Sequence, residues 1–227
     1  MAKVQQKAAA STGDTTSQSV TLDSTPAQNN LLRAYVVSGA TVPTPSGWTS
    51  AVGPVDFVGL YQFYKIAGAG ESTTVTVNPS SSAACVLVVQ EWSGYLTSGV
   101  LDVVASNSPG GAPTNCPTGT TAATSQADEL VTACCGYIAA GETITAWTGY
   151  TVDQATLTST GSASNVALGV ATKVVAATGT QAAQADFSTS VSHPSACIAT
   201  FKAAAAASPA PTQPLVSTAA VTRASTW

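Results

Sequence analysis

Charged residues are scarce in this sequence. Only 8% of its 227 residues are Asp, Glu, Lys or Arg, against roughly 25% in ordinary soluble proteins. The seven cations are scattered from Lys3 to Arg223, whereas nucleic-acid binding requires clustered cations that replace the counterions on phosphate. We therefore expect no nucleic-acid partner. The surface must be built from Ser, Thr, Asn and Gln, which tolerate packing against neighbouring proteins.

Long apolar runs are also missing. No window comes near the roughly 18 apolar residues that a membrane-spanning helix needs, so we expect no membrane partner. The opening segment, MAKVQQKAAASTGDTTSQSV, lacks the apolar core of a secretory signal peptide. A weakly charged surface without an export signal is typical of virion proteins, which fold in the host cytoplasm and leave by lysis.

The cysteines do not form a recognisable metal or disulfide pattern. Their number is odd and no C-x-x-C pair occurs. Because cytosolic synthesis keeps thiols reduced, we predict buried free thiols rather than the alternatives, disulfides or metal ligation. The five residues are Cys85, Cys116, Cys134, Cys135 and Cys197.

Residues for catalysis are few. The single histidine, His193, follows no G-x-S-x-G motif, although a Ser–His pair could still assemble in space. Among eleven carboxylates, Glu91 stands out because it ends an apolar strand beside Trp92. We interpret it as a sheet-edge residue satisfied by a neighbouring amide or hydroxyl. Calcium-loop and nucleotide-binding motifs are absent, so we expect a non-enzymatic protein with no catalytic residues, metal or cofactor.

Turn residues recur every 8–15 positions, and the runs between them are β-branched or aromatic. In STTVTVN, for example, Val75 and Val77 share one face. The pattern predicts an all-β fold, an antiparallel two-sheet β-sandwich of jelly-roll-like type, and we find no repeat with a period of 20–50 residues. Strands are predicted near 18–23, 31–38, 57–66, 72–78, 84–92, 100–105, 129–139, 144–151, 154–159, 164–176, 181–188 and 195–202.

Two arms are predicted to flank this sandwich. Residues 1–17 are small and polar without a period, which indicates a flexible N-terminal arm. Residues 18–202 form the sandwich domain. Residues 203–227 form an Ala/Pro-rich extended arm, because three prolines exclude a continuing helix. Its sizeable apolar side chains are candidate partner-docking residues: Leu215, Val216, Val221 and Trp227.

Two tryptophans are candidates for ligand stacking. Trp48 lies in or near a loop after Pro43, Pro45 and Gly47, and Trp147 lies near a strand end. An exposed indole on a β-sandwich can stack on a sugar ring, so a host-surface glycan is a candidate partner. The alternative for both residues is packing at the ends of the sheets.

Residues 30–202 resemble a known module. The segments LLRAYVVSG, PSGWTS and LYQFYKIAGAGESTTVTVNPSSSAACVLVVQEWSG, followed by ELVTACCGYIAAGE and ACIATFKA, resemble a β-sandwich module of tailed-bacteriophage structural proteins that also recurs in bacterial surface proteins. The resemblance brings no catalytic residues with it.

The resemblance implies a virion structural protein, either a capsid decoration (cement) or head-fibre protein. The alternative is a minor tail or receptor-binding module. The expected partners are the major capsid or tail protein and further copies of the chain itself.

Overall fold

The computed structural model describes residues 1–56 and 58–205, which form strands and connecting turns without any helix. The predicted all-β, antiparallel fold is confirmed. The strands are β1 (Ala2–Ala10), β2 (Gln18–Thr21), β3 (Leu31–Ser38), β4 (Thr49–Val55), β5 (Leu60–Ile66), β6 (Thr74–Val77), β7 (Cys85–Ser93), β8 (Leu101–Asn107), β9 (Asn115–Thr120), β10 (Glu129–Ile138), β11 (Ile144–Trp147), β12 (Thr151–Thr158), β13 (Val166–Val175), β14 (Ala182–Phe187) and β15 (Ser192–Lys202).

Two five-stranded antiparallel sheets face each other, as predicted for a sandwich. The first sheet has the order β1-β7-β3-β5-β4 and the second has the order β12-β13-β10-β15-β8. Strand β1 lies against β12 at one flank, and β4 lies against β8 at the other. Between the sheets, Tyr35, Val37 and Leu60 pack against Cys134 and Leu168.

Each five-stranded sheet carries a smaller sheet on its outer face. The pair β2–β6 covers the first sheet, where Val75 and Val77 pack against Phe63. The order β11-β14-β9 covers the second sheet, where the rings of Tyr137 and Phe187 meet edge to face at 5.2 Å. Strands β3 and β10 are therefore covered on both faces, which explains why their sequences do not alternate between apolar and polar residues.

The two halves of the chain have the same topology. In the first half, the large sheet contains the first, seventh, third, fifth and fourth strands, and the small sheet pairs the second with the sixth. In the second half, the sheet β8-β15-β10-β13-β12 and the pair β9–β14 repeat that order once β11 is set aside as an insertion. Each half therefore builds its own large sheet, and the sandwich forms between the halves.

Local details repeat as well. Thr49 lies opposite Tyr64 in the first half, and Thr151 lies opposite Thr172 in the second. After these pairs, β4 and β12 each have two register shifts, and the shifts fall at the same distances along the two strands. The turns before them, in GWT and GYT, have glycines with φ of 78° and 79°. This repeat of about one hundred residues is longer than the 20–50-residue periods of solenoid and propeller repeats.

The prediction of a flexible N-terminal arm over residues 1–17 is wrong. Residues from Ala2 to Ala10 form β1, which pairs with β7 along its whole length, and β2 begins at Gln18. The sequence AKVQQKAAA does not indicate this strand, because Ala, Gln and Lys have weak strand preference and an edge strand does not need an apolar face. Strands β4 and β9 were also missed, because each contains Gly and Pro.

The C-terminal arm prediction falls largely outside the described residues, which end at Ala205. The same holds for the candidate docking residues Leu215, Val216, Val221 and Trp227.

Gly136 provides a test of the contact between the sheets. A Cβ at this position of β10 would lie 2.7 Å from Val37 Cγ2 and 3.1 Å from Leu60 Cδ1, both on the first sheet. We expect Gly136→Ala to lower the free energy of unfolding by about 1–3 kcal/mol through overpacking. Urea denaturation measures this. The matched control, Gly110→Ala, adds a methyl group with no neighbour within 4 Å, and a loss of equal size there would contradict the packing explanation.

Candidate functional site

Asp153 is the centre of the polar contacts at the flank where β1 meets β12. Although it lies on an edge strand, its side chain is only 3% exposed. The Lys3 ammonium pairs with Oδ1, the Thr172 hydroxyl donates to Oδ2 at 2.6 Å, and the Gln6 side-chain amide donates to the Asp153 main-chain oxygen at 2.8 Å. A single carboxylate thus ties the first strand of the chain to the opposite sheet.

Gln90 continues this network into the sandwich. Its amide nitrogen donates to Asp153 Oδ2 at 3.1 Å and to Gln6 Oε1 at 2.8 Å. Its amide oxygen accepts from the Tyr35 hydroxyl and from the Trp92 indole nitrogen, both at 2.9 Å. The amide therefore makes four hydrogen bonds, two as donor and two as acceptor, as a fully buried amide requires.

Arg33 is the least satisfied polar group between the sheets. It is fully buried on β3, and its guanidinium carbon lies 3.6 Å from the ring centroid of Phe201. One terminal nitrogen donates to Gln62 Oε1, whereas Nε and the other terminal nitrogen have no hydrogen-bond partner. Burial lowers the pKa of Arg33. Gln62 Oε1 also accepts from the Thr132 hydroxyl of the second sheet at 2.9 Å.

Neighbouring amides satisfy Glu91, as the sequence predicted, but the residue lies on the inner strand β7 between β1 and β3 and not at an edge. It is 1% exposed and faces away from the second sheet. Its Oε1 accepts from the Ala27 main-chain nitrogen at 2.8 Å and from the Asn30 amide at 2.6 Å, while Oε2 accepts from the Gln5 amide at 2.5 Å. These bonds tie the segment before β3 and strand β1 to β7.

Glu129 and Asp102 form a pair of neighbouring carboxyl groups near the other flank. Asp102 accepts from the main-chain nitrogen and the hydroxyl of Ser125 at 2.6 and 2.7 Å, and Lys202 Nζ lies 3.5 Å from its Oδ1. Burial favours a raised pKa for Asp102, but these bonds outweigh it and lower the pKa. Glu129 is fully buried, and burial together with the Asp102 carboxylate raises its pKa.

The predicted aromatic candidates differ in their surroundings. Trp147 is only 4% exposed and packs in the core beneath the second sheet. It has no free ring face for a sugar, so its assignment as a stacking residue is wrong. Trp48 is half-buried against the core around Tyr61 and Phe63, and part of its indole remains accessible. His193 is exposed near the start of β15.

The cysteines are free and buried within strands, as expected. Cys134 and Cys197 lie directly opposite each other on β10 and β15, with their sulfur atoms 3.4 Å apart. Cys135 points to the other face of β10 and lies near Cys116. Burial raises the pKa of Cys134 and Cys135 well above the ordinary value, which keeps both thiols protonated and unreactive.

The incomplete hydrogen bonding of Arg33 predicts how its replacement changes stability. Arg33→Met removes an incompletely paired buried charge, while Gln62 Oε1 keeps its bond from Thr132. We expect the free energy of unfolding to rise by about 1–4 kcal/mol. Gln62→Leu should instead lower it, because Arg33 would lose its hydrogen-bond acceptor. If Arg33→Met destabilises the protein in denaturant titrations, the ring and amide contacts outweigh the desolvation of the charge.

The carboxyl pair predicts a pH dependence of stability. Because the pKa of Glu129 is raised above its ordinary value of 4.5, the folded protein holds a proton that the unfolded chain releases. Its contribution is complete below 4.5 and is lost as the pH rises through the raised pKa. The lowered pKa of Asp102 acts in the opposite sense, but only below its ordinary 3.8.

Thermal melts as a function of pH test this dependence. Glu129→Gln should flatten the decline in stability above pH 4.5, whereas Asp128→Asn, at the exposed neighbouring position, should retain it. An unchanged decline in Glu129→Gln would show that another group binds the proton.

The described residues hold no group of three or more His, Cys, Asp and Glu side chains that could bind a metal ion. Within the same residues, no helix has the length and apolarity needed to cross a membrane. Comparison of the chain with protein-family models, with curated proteins and with solved structures finds no match.

Proposed function

We propose that this chain is a non-enzymatic structural protein of a tailed-bacteriophage virion, a capsid decoration or head-fibre protein. The observation that carries the proposal is the use of its largely buried carboxyl groups. The Asp153 carboxylate pairs with Lys3 and so joins β1 to the second sheet, Glu91 joins β1 and the segment before β3 to β7, and Asp102 joins the Ser125 segment to β8. A hydrolase would present such carboxyl groups to a substrate, whereas in this protein they join separate segments of the chain.

The distribution of charge supports the same role. With 8% charged residues, the protein has a surface of hydroxyls and amides that neighbours can cover at a lower desolvation cost than a charged surface. The likeness of 30–202 to the phage module adds to this. The synthesis site in this proposal is the host cytoplasm, where the five buried thiols stay reduced.

The C-terminal segment is the proposed means of attachment to the particle. Ala203 bridges Tyr95, and the Ala204 main-chain nitrogen donates to the Gly94 oxygen at 3.0 Å, so the sandwich holds the chain up to this point. Residues 206–227 follow, with Leu215, Val216, Val221 and Trp227 as the anchors. The partner is the major capsid or tail protein.

A minor tail or receptor-binding protein is the second candidate. The observation that favours it is the half-exposed indole of Trp48, in a turn between β3 and β4 where a sugar ring could reach it. This candidate shares the virion location but differs in position on the particle and in having a host-surface glycan as partner.

Particle incorporation tests the proposal. Phage carrying a chain that stops after Ala205, which keeps the contacts to Gly94 and Tyr95, should assemble without this protein, although the truncated protein stays folded and soluble. Quantitative mass spectrometry of gradient-purified particles measures its copy number. The matched control is full-length Val104→Asp, which changes an exposed position of β8 and should be incorporated normally.

Immunogold labelling of particles with the full-length chain distinguishes the two candidates. Label on the capsid supports decoration, and label on the tail supports the receptor-binding alternative. Absence of the full-length chain from purified particles contradicts both. Incorporation of the truncated chain at normal copy number would assign attachment to a face of the sandwich.

A further inference from the structure

The contact between Lys3 and Asp153 differs from the other ion pairs between described residues. The Asp153 side chain is 3% exposed and that of Lys3 is 33% exposed. The remaining pairs are Lys7–Asp23, Lys65–Glu71 and Lys202–Asp102. Their carboxyl side chains are 70%, 13% and 10% exposed, and the charged atoms of the last pair are 3.5 Å apart. Asp153 thus combines a close lysine contact with nearly complete exclusion of water.

The two oxygens of the Asp153 carboxyl group have different partners. Oδ1 contacts the Lys3 nitrogen, whereas Oδ2 accepts from the Thr172 hydroxyl at 2.6 Å and from the Gln90 amide at 3.1 Å. Donors fixed on a carbonyl oxygen stabilise the negative charge that develops there when a nucleophile attacks the carbon. Oδ2 is therefore placed to become an oxyanion, and Oδ1 faces the group that can protonate it.

The Lys3 nitrogen also lies close to the carboxyl carbon of Asp153. Cγ is one bond beyond the oxygen that Nζ contacts, which is near the separation of roughly 3–3.5 Å of a near-attack arrangement. The lysine stem is flexible, so the nitrogen can move above the plane of the carboxyl group. Meanwhile the Gln6 amide, which donates to the Asp153 main-chain oxygen at 2.8 Å, keeps β1 beside β12.

We propose that Lys3 and Asp153 condense to an intramolecular isopeptide bond, a covalent cross-link between the first strand and the second sheet. A proton first passes from the ammonium group to Oδ1, which turns the ion pair into an amine and a carboxylic acid. Burial favours this neutralisation because it penalises charge. The amine then attacks Cγ, and the electron pair of the C=O bond moves onto Oδ2, where Thr172 and Gln90 stabilise it.

The reaction is balanced within the pair. When the intermediate collapses, the C=O bond to Oδ2 re-forms and the bond between Cγ and Oδ1 breaks. Oδ1 takes a second proton from the attacking nitrogen and leaves as water, and the nitrogen keeps one proton as an amide. No oxidant or other reactant is consumed. Groups held together by a fold react at effective concentrations of roughly 10⁵–10⁸ M, which favours the amide over hydrolysis by bulk water.

The cross-link goes beyond the proposed function, because it depends only on the fold of this chain. Strand β1 lies at the edge of the first sheet, and elements at an edge or a terminus open more readily than the core. An amide at Lys3 keeps β1 attached to β12. It also closes a loop between residues 150 positions apart, which restricts the unfolded chain as a disulfide does.

Intact-mass spectrometry of the purified, denatured full-length protein tests the cross-link. The wild-type chain should be lighter than its sequence by one water molecule, whether or not Met1 is retained. Lys3→Arg keeps the positive charge but should have its full sequence mass. The matched control is Lys65→Arg, in the ion pair with Glu71 at 2.7 Å, and it should keep the loss of water.

A second variant and a digest locate the bond. In Asp153→Asn the side-chain amide reacts with Lys3 by releasing ammonia, so this variant should be lighter than its sequence by one ammonia molecule. Digestion of the wild type with trypsin and chymotrypsin should yield residues 151–157 joined to the N-terminal peptide that ends at Lys7. Trypsin should leave the chain uncut after Lys3, because it does not cleave after a lysine whose nitrogen is an amide.

The role of the Oδ2 donors is tested by the rate of the reaction. Thr172→Val removes one of the two donors and should slow the appearance of the lighter mass after synthesis by about a hundredfold. Thr74→Val, which removes an exposed hydroxyl of β6, should react like the wild type. An unchanged rate in Thr172→Val would overturn this role of the hydroxyl.

A wild-type chain at its full sequence mass would overturn the inference, and so would a loss of water that persists in Lys3→Arg or that the digest locates elsewhere. Circular dichroism compares the folding of the variants. If Lys3→Arg does not fold, the loss of ammonia from Asp153→Asn decides the question. None of these measurements depends on particle incorporation, so this inference and the proposed function can fail separately.

Discussion

The buried Asp153 carboxylate of the second sheet and its partners on the first sheet control how the two sheets meet. The carboxylate must find such partners, because a buried polar group without them costs several kcal/mol. Asp153 finds Lys3, Gln90 and Thr172. Sliding either sheet along its strands would break these contacts and leave Asp153 buried without partners, so the polar contacts fix a relative position of the sheets that apolar packing alone leaves open.

The asymmetry of these contacts matters because the two halves are otherwise alike. The residue of β4 that matches Asp153 of β12 is Ala51, and the flank around it is apolar, with Leu101 and Phe201 nearby. One flank is thus held mainly by the hydrogen bonds of Asp153, and the other mainly by hydrophobic contact, with one hydrogen bond from the Ser108 hydroxyl to the Asp56 carboxylate at its end. Two identical flanks would let each half pair equally well with a second copy of itself. Different flanks favour pairing between unlike halves, as in designed specificity between similar surfaces.

The sequence predicts the strands whose own residues form a recognisable apolar or β-branched pattern. Strands β5, β7, β10 and β13 have long apolar or β-branched runs, and their positions agree with the prediction to within a few residues. Strand β1 could not be found this way, because its stability comes from main-chain bonds to β7 and from the partners of Lys3 and Gln6. Those partners lie far away in sequence, with 150 positions between Lys3 and Asp153, and no local pattern indicates them.

The polar sites show the same limit. Glu91 could be interpreted because it sits at a visible boundary between an apolar run and a turn, whereas Arg33 lies inside LLRAYVV and gives no sign of its missing partners. The repeated topology is accompanied by only short sequence matches, such as GWT and GYT, because the two halves need the same backbone but different side chains at their contact. A comparison of the two halves residue by residue therefore finds few matches, whereas a comparison of their strand order shows that the complete topology repeats.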